Sequence, residues 1–151
     1  MKKTNIALFI LAAALAIYQM ANGQTITQDT SFFRNGVVMQ VNTYANGVRV
    51  ERCVYYPTGE LQLYQEFDPV RGLQTGGEYW YFRNGEVEHA CEWVNGFAHG
   101  WAFTWDEIGE LISSEVYVQN VLIPADQYYK YFRSAEVESE ADPTTGFAAR
   151  R

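Results

Sequence analysis

The chain has 151 residues, with 11 Lys+Arg against 18 Asp+Glu and a formal charge of −7, enough for one packed domain and too few for two. A hydrophobic share of 48% and an aromatic share of 16% exclude disorder and point to strands, whose pleated surfaces pack aromatic side chains well. So acidic a chain repels phosphate backbones and anionic headgroups, which argues against nucleic acid and anionic membranes as partners.

The first 23 residues read as an export signal. Lys2 and Lys3 precede an apolar run from Ile6 to Ile17, and Ala21-Asn22-Gly23 places small residues before Gln24. This predicts a signal peptide over 1–23, cleaved before Gln24, and an exported product, periplasmic or secreted. The run of about 12 residues is short of the roughly 20 that a spanning helix needs. Removing both lysines takes Lys+Arg from 11 to 9 and the charge from −7 to −9. No cysteine follows the cleavage site, which excludes lipid attachment there.

Residues 24–122 repeat. Turn glycines fall at Gly36, Gly59, Gly85 and Gly109, spaced 23, 26 and 24 apart. Each follows aromatics: Phe32-Phe33, Tyr55-Tyr56, Tyr81-Phe82 and, with one residue inserted, Trp105. Two positions after the glycine stands Val38, Leu61, Val87 or Leu111, and eight after it Tyr44, Phe67, Trp93 or Tyr117. Such a period marks a stacked array. A second set of turns lies midway, at Asn46-Gly47, Asp68 to Gly72, Asn95-Gly96 and Asn120, so the unit is strand, turn, strand, turn. Alternation sets Val87, His89, Cys91 and Trp93 against Glu86, Glu88, Ala90 and Glu92, the pattern of a half-buried antiparallel strand. Seven strands are predicted, over 37–44, 48–56, 60–67, 77–82, 86–93, 101–105 and 110–118.

Two segments carry a family likeness. Asn95-Gly-Phe-Ala-His-Gly100-Trp101-Ala-Phe103-Thr-Trp105 and Gly72-Leu-Gln-Thr-Gly76-Gly-Glu-Tyr79-Trp80-Tyr81-Phe82 each place glycine four residues after a turn glycine and an aromatic strand beyond it. The chain thereby resembles the MORN-repeat-variant family of bacteria over about residues 33–122. Gly47 lacks a glycine at that offset, and the chain after Asn120 leaves the pattern. The resemblance implies a single-layer meander of hairpins used for protein or lipid association, and some relatives are labelled antitoxins. The expected fold is therefore all-β, a single-layer antiparallel meander of about four MORN-like hairpin repeats.

After Pro124, a favourable first helical residue, Tyr128, Tyr131, Phe132 and Ala135 share one helical face. This predicts a short amphipathic capping helix over 123–138, followed by a flexible tail over 139–151.

Catalysis finds little support. A nucleophile needs an oriented base beside it, and the only histidines are His89, on an alternating strand, and His99, in a turn. No paired metal-ligand spacing occurs. No catalytic residue, metal or cofactor is expected. In a flat meander Cys53 and Cys91 lie three strand steps apart, roughly 14 Å, beyond the reach of a disulfide.

Binding is better supported. Glu60, Glu86 and Glu110 follow successive turn glycines and predict an acidic stripe along one sheet face, which is either a solvated surface or a dock for a basic partner. The repeated aromatic columns are expected to form the packed face. Tyr79-Trp80-Tyr81-Phe82 exceeds what one layer can bury, which leaves a patch of Tyr79, Trp80 and Tyr81, with Trp101, for a partner. The expected function is an exported, non-enzymatic protein-interaction module. A cell-wall or glycan-binding module stacking sugars on Tyr79, Trp80 and Trp101 is one alternative, and an immunity-type protein neutralising a basic partner is another. An open first strand would also permit edge-to-edge dimers.

Overall fold

The computed structural model describes residues 23–128. The leader over 1–22, most of the predicted capping helix and the predicted tail lie outside them. Nine strands follow one another: β1 (Ile26–Phe32), β2 (Val38–Ala45), β3 (Val48–Tyr55), β4 (Leu61–Phe67), β5 (Gln74–Tyr81), β6 (Val87–Val94), β7 (Phe97–Trp105), β8 (Leu111–Val118) and β9 (Val121–Ile123). All pair antiparallel in chain order to form one open sheet. Substantial contacts join only consecutive strands. A helical turn over 125–128 follows.

Two strands exceed the seven predicted. β1 is mostly polar, ITQDTSF, and gives no hydrophobic alternation to read. It covers the edge that the sequence left open at residues 37–44. β9 is a three-residue return, and so short an edge strand offers little template for further pairing.

Two turn chemistries set the register. At one end the backbone N–H of Phe33, Tyr56, Phe82 and Asp106 donates to the carbonyl four residues on. Asp106 thus holds the column of Phe33, Tyr56 and Phe82, and Trp105 falls in line with Tyr55 and Tyr81. The inserted residue expected beside Trp105 does not exist. At the other end Asn46-Gly47 and Asn95-Gly96 hold positive φ at both residues, 50° and 82°, then 52° and 83°, the two-residue turn that matches strand twist.

Strand alternation and register sort the side chains onto two faces. On the first, Cys53 faces Tyr64, Tyr64 faces Tyr79, Tyr79 faces Ala90 and Ala90 faces Phe103. On the second, Asn42, Arg52, Gln65, Glu78, Cys91 and Ala102 line up from β2 to β7. The expected columns Phe33/Tyr56/Phe82/Trp105 and Tyr44/Phe67/Trp93/Tyr117 do not share a packed face: Phe33, Tyr56 and Phe82 open the turns, Trp105 lies with Tyr55 and Tyr81 on the first face, and Tyr44, Phe67, Trp93 and Tyr117 follow the second.

A single layer buries few side chains fully. Val116 and Thr43 are the most enclosed, with Ala45, Cys53, Leu63, Phe67 and Ala102 close behind. Polar ladders fill the gap. On the second face Arg52 donates from Nε and Nη2 to Gln40 Oε1 (3.1 and 2.9 Å) and from Nη1 to Gln65 Oε1 (3.4 Å). Gln65 Nε2 passes the chain to Glu78 Oε2 at 2.7 Å, which also accepts from Gln74 Nε2, while Trp80 Nε1 donates to Glu78 Oε1. The Gln40, Arg52, Gln65 and Glu78 groups are thus linked across four strands where an apolar core would otherwise be needed, while the buried Asn42 Oδ1 at the end of the row has no hydrogen-bond partner among the described residues. Cys53 and Cys91 are free thiols on opposite faces, as their strand separation requires.

Candidate functional site: an aromatic groove on the first face

The groove begins with a small residue between two large ones. Ala90 on β6 faces Tyr79 of β5 on one side and Phe103 of β7 on the other, so a methyl group lies between two ring-bearing strands whose backbones are about 9.6 Å apart, two strand spacings. Trp101 stacks on Phe103 with ring centroids 5.8 Å apart and planes 10° apart, and Phe103 meets Trp105 at 5.7 Å. Pro124 ends the ladder after β9, and the following turn, closed by the Gln127 N–H to Pro124 carbonyl bond at 2.9 Å, brings Tyr128 edge-on to Trp101 at 5.8 Å. Tyr79, Ala90, Glu92, Trp101, Phe103 and Tyr128 line a concavity of about 490 Å³.

Carboxylates border it. Glu92 is exposed at the groove, beside Gly100, where a Cβ would lie 2.8 Å from its Oε2. Its repeat equivalent Glu66 accepts from the Gly77 N–H at 2.9 Å and from the Tyr64 hydroxyl at 3.1 Å. Burial, then Glu66 and Glu92, pushes the Tyr79 hydroxyl above its ordinary pKa. Further along the face Glu51 opposes Glu66. Burial raises the Glu51 carboxyl above its ordinary value against hydrogen bonds from Tyr64, Thr43 and Cys53, and Glu66 adds to the rise. Towards the Asn95-Gly96 turn the same face exposes Val94 (45%) and Phe97 (46%), with Leu73 (41%) and Val121 (62%) on flanking segments.

The predicted site residues divide. Tyr79 and Trp101 meet in the groove. Tyr81 shares their face one row away, its hydroxyl pushed up by burial and by Tyr79. Trp80 points to the other face, where its indole is tied to Glu78. Glu60, Glu86 and Glu110 are the first residues after three turns, aligned along one end of the sheet and not across a binding face. Glu60 is half-buried. His89 Nδ1 lies 3.1 Å from Thr104 Oγ1, and among the described residues no cluster of three His, Cys, Asp or Glu is arranged to hold a metal. Ala90, Glu92, Phe103 and Tyr128 stand in the sequence as strand or helix residues and are not among the predicted site residues. The turn offsets that fix the register of β5, β6 and β7 carried the signal for the first three.

The fold and groove define a class: an open single-layer β-meander with one aromatic, acid-bordered concave face. No family model and no curated protein matches the chain. Among solved structures, similarity extends to the accessory secretory protein 1, 2 and 3 structure of Streptococcus pneumoniae (14% identity, TM-score 0.40, 76% of this chain and 25% of that one). It extends also to a DUF3836 family protein from Parabacteroides distasonis (14% identity, TM-score 0.27, 72% and 98%). The chain thus spans a quarter of the length of the first. No helix among the described residues is long and apolar enough to cross a membrane.

Proposed function

We propose that the chain is an exported, non-enzymatic interaction module that holds another protein against its first face. The observation that carries this reading is the groove of Tyr79, Trp101, Phe103 and Tyr128 continuing into exposed Val94 and Phe97. An aromatic hollow with an apolar margin is the composition of an interface centre. The leader's charged, apolar and small-residue zones support export, and the repeat spacing supports kinship with MORN-variant proteins, whose resemblance implies protein or lipid association.

Proximity crosslinking in the native cells tests it, comparing wild type with a Tyr79→Ala/Trp101→Ala variant whose strand content is verified by circular dichroism. One dominant captured protein, lost in the variant, is expected. Equal capture by both forms would remove the groove from the interaction. Co-fractionation with wall polysaccharide without any protein partner would favour the glycan alternative, which the Trp101–Phe103 stack also suits.

A further inference from the structure

We infer that the groove receives a cationic side chain, an arginine or lysine presented by a basic segment of the partner. This rests on the interaction reading and adds the chemistry of recognition. Four aromatic rings converge on the hollow, and ring faces attract a cation within about 6 Å of their centroids. A neutral aromatic hollow would accept any apolar group, but this one has a carboxylate at its border. The arginines of the described residues are placed elsewhere. Arg52 is held in the ladder on the opposite face, and Arg49 stacks there 4.2 Å from the Phe67 centroid. Arg71 reaches Asn95, and Arg83 lies over Tyr56 at 5.3 Å. Arg34 lies in the turn between β1 and β2. The molecule thus uses arginine on aromatic rings twice for its own packing and leaves the acid-bordered cluster on its first face without one. Glu66 and Glu51 extend the negative potential along the same face, so a segment with basic residues either side of the inserted one gains at each step.

The test uses the processed chain with 15N-labelled tryptophan and an acetylated, amidated (Gly-Arg)3 peptide, with the citrulline peptide as the isosteric uncharged control. Binding is expected to move the Trp101 indole resonance, assigned through Trp101→Phe, and to leave that of Trp80 in place. The citrulline peptide should not bind in the same range, and Glu92→Gln should weaken the arginine peptide by about fivefold, the scale of one partly exposed charge contact. Equal binding of both peptides, an unchanged affinity in Glu92→Gln, or shifts confined to Trp80 and Trp93 would each overturn the inference. So would peptide binding that appears only in Lys130→Ala/Arg133→Ala, which would assign the groove to the chain's own cations. Crosslinking separates the two levels. A partner whose capture, titrated below saturation, is as strong with Glu92→Gln as with wild type and is lost with Tyr79→Ala/Trp101→Ala would sink the cation while sparing the interaction. Arginine binding with no captured partner would do the reverse.

Discussion

Gly76 and Gly100 occupy matching positions in two repeats, at φ of 80° and 97°, and in each case a glutamate from the neighbouring strand lies over the missing side chain. A non-glycine residue so placed costs about 1–3 kcal/mol in backbone strain. The two should nevertheless differ. The Glu92 carboxylate over Gly100 is exposed and can swing aside, so Gly100→Ala is expected to cost about 2 kcal/mol in urea unfolding. The Glu66 carboxylate over Gly76 is held by Gly77 and Tyr64, and an added Cβ would collide with it. Gly76→Ala should cost more than Gly100→Ala, and equal losses would show that Glu66 is not fixed. Glu51 supplies the pH response. Its pKa is raised on folding, so the stability it contributes is complete below the unfolded value of 4.5 and is lost as pH rises through the folded value. Glu51→Gln should therefore melt higher than wild type at pH 7, with the gap closing towards pH 4.

At the scale of strands and turns, the last hairpin departs from the others. Gln119 and Asn120 adopt φ of 50° and 67°, copying the Asn-Gly turns without a glycine. Gln119→Asn, which better tolerates the left-handed region, should stabilise by about 0.5–1 kcal/mol, seen as a rise in Tm. Such comparisons also explain how much the sequence revealed. The seven strands predicted are present because turn residues and alternation agree. β5 and β7 begin earlier than expected, at Gln74 and Phe97, because Gly76 and Gly100 interrupt the pattern while the chain stays in the ladder. β1 was hidden by its polarity. The groove was half legible: Tyr79 and Trp101 stand out as surplus aromatics, but Ala90 matters only through the register that sets it between Tyr79 and Phe103, and Tyr128 only through a change of chain direction after Pro124. Trp80 looked like its neighbours, and only the Glu78 carboxylate on its face separates it from them.

For the molecule as a whole, stability is close to a chain of nearest-neighbour terms, because the substantial strand contacts among the described residues all join sequence neighbours. Local opening should begin at β1 and β9, each of which has a single partner, and hydrogen exchange should show protection rising towards β4, β5 and β6. Uniform protection from β1 to β9 would contradict this and indicate one cooperative block. Chain-order pairing also governs how the protein comes into being. A strand never waits for a distant segment, and only the latest hairpin is unfinished at any moment. Folding can therefore proceed vectorially from the amino terminus, each new pair of strands setting on the last as the polypeptide emerges, in time with its delivery.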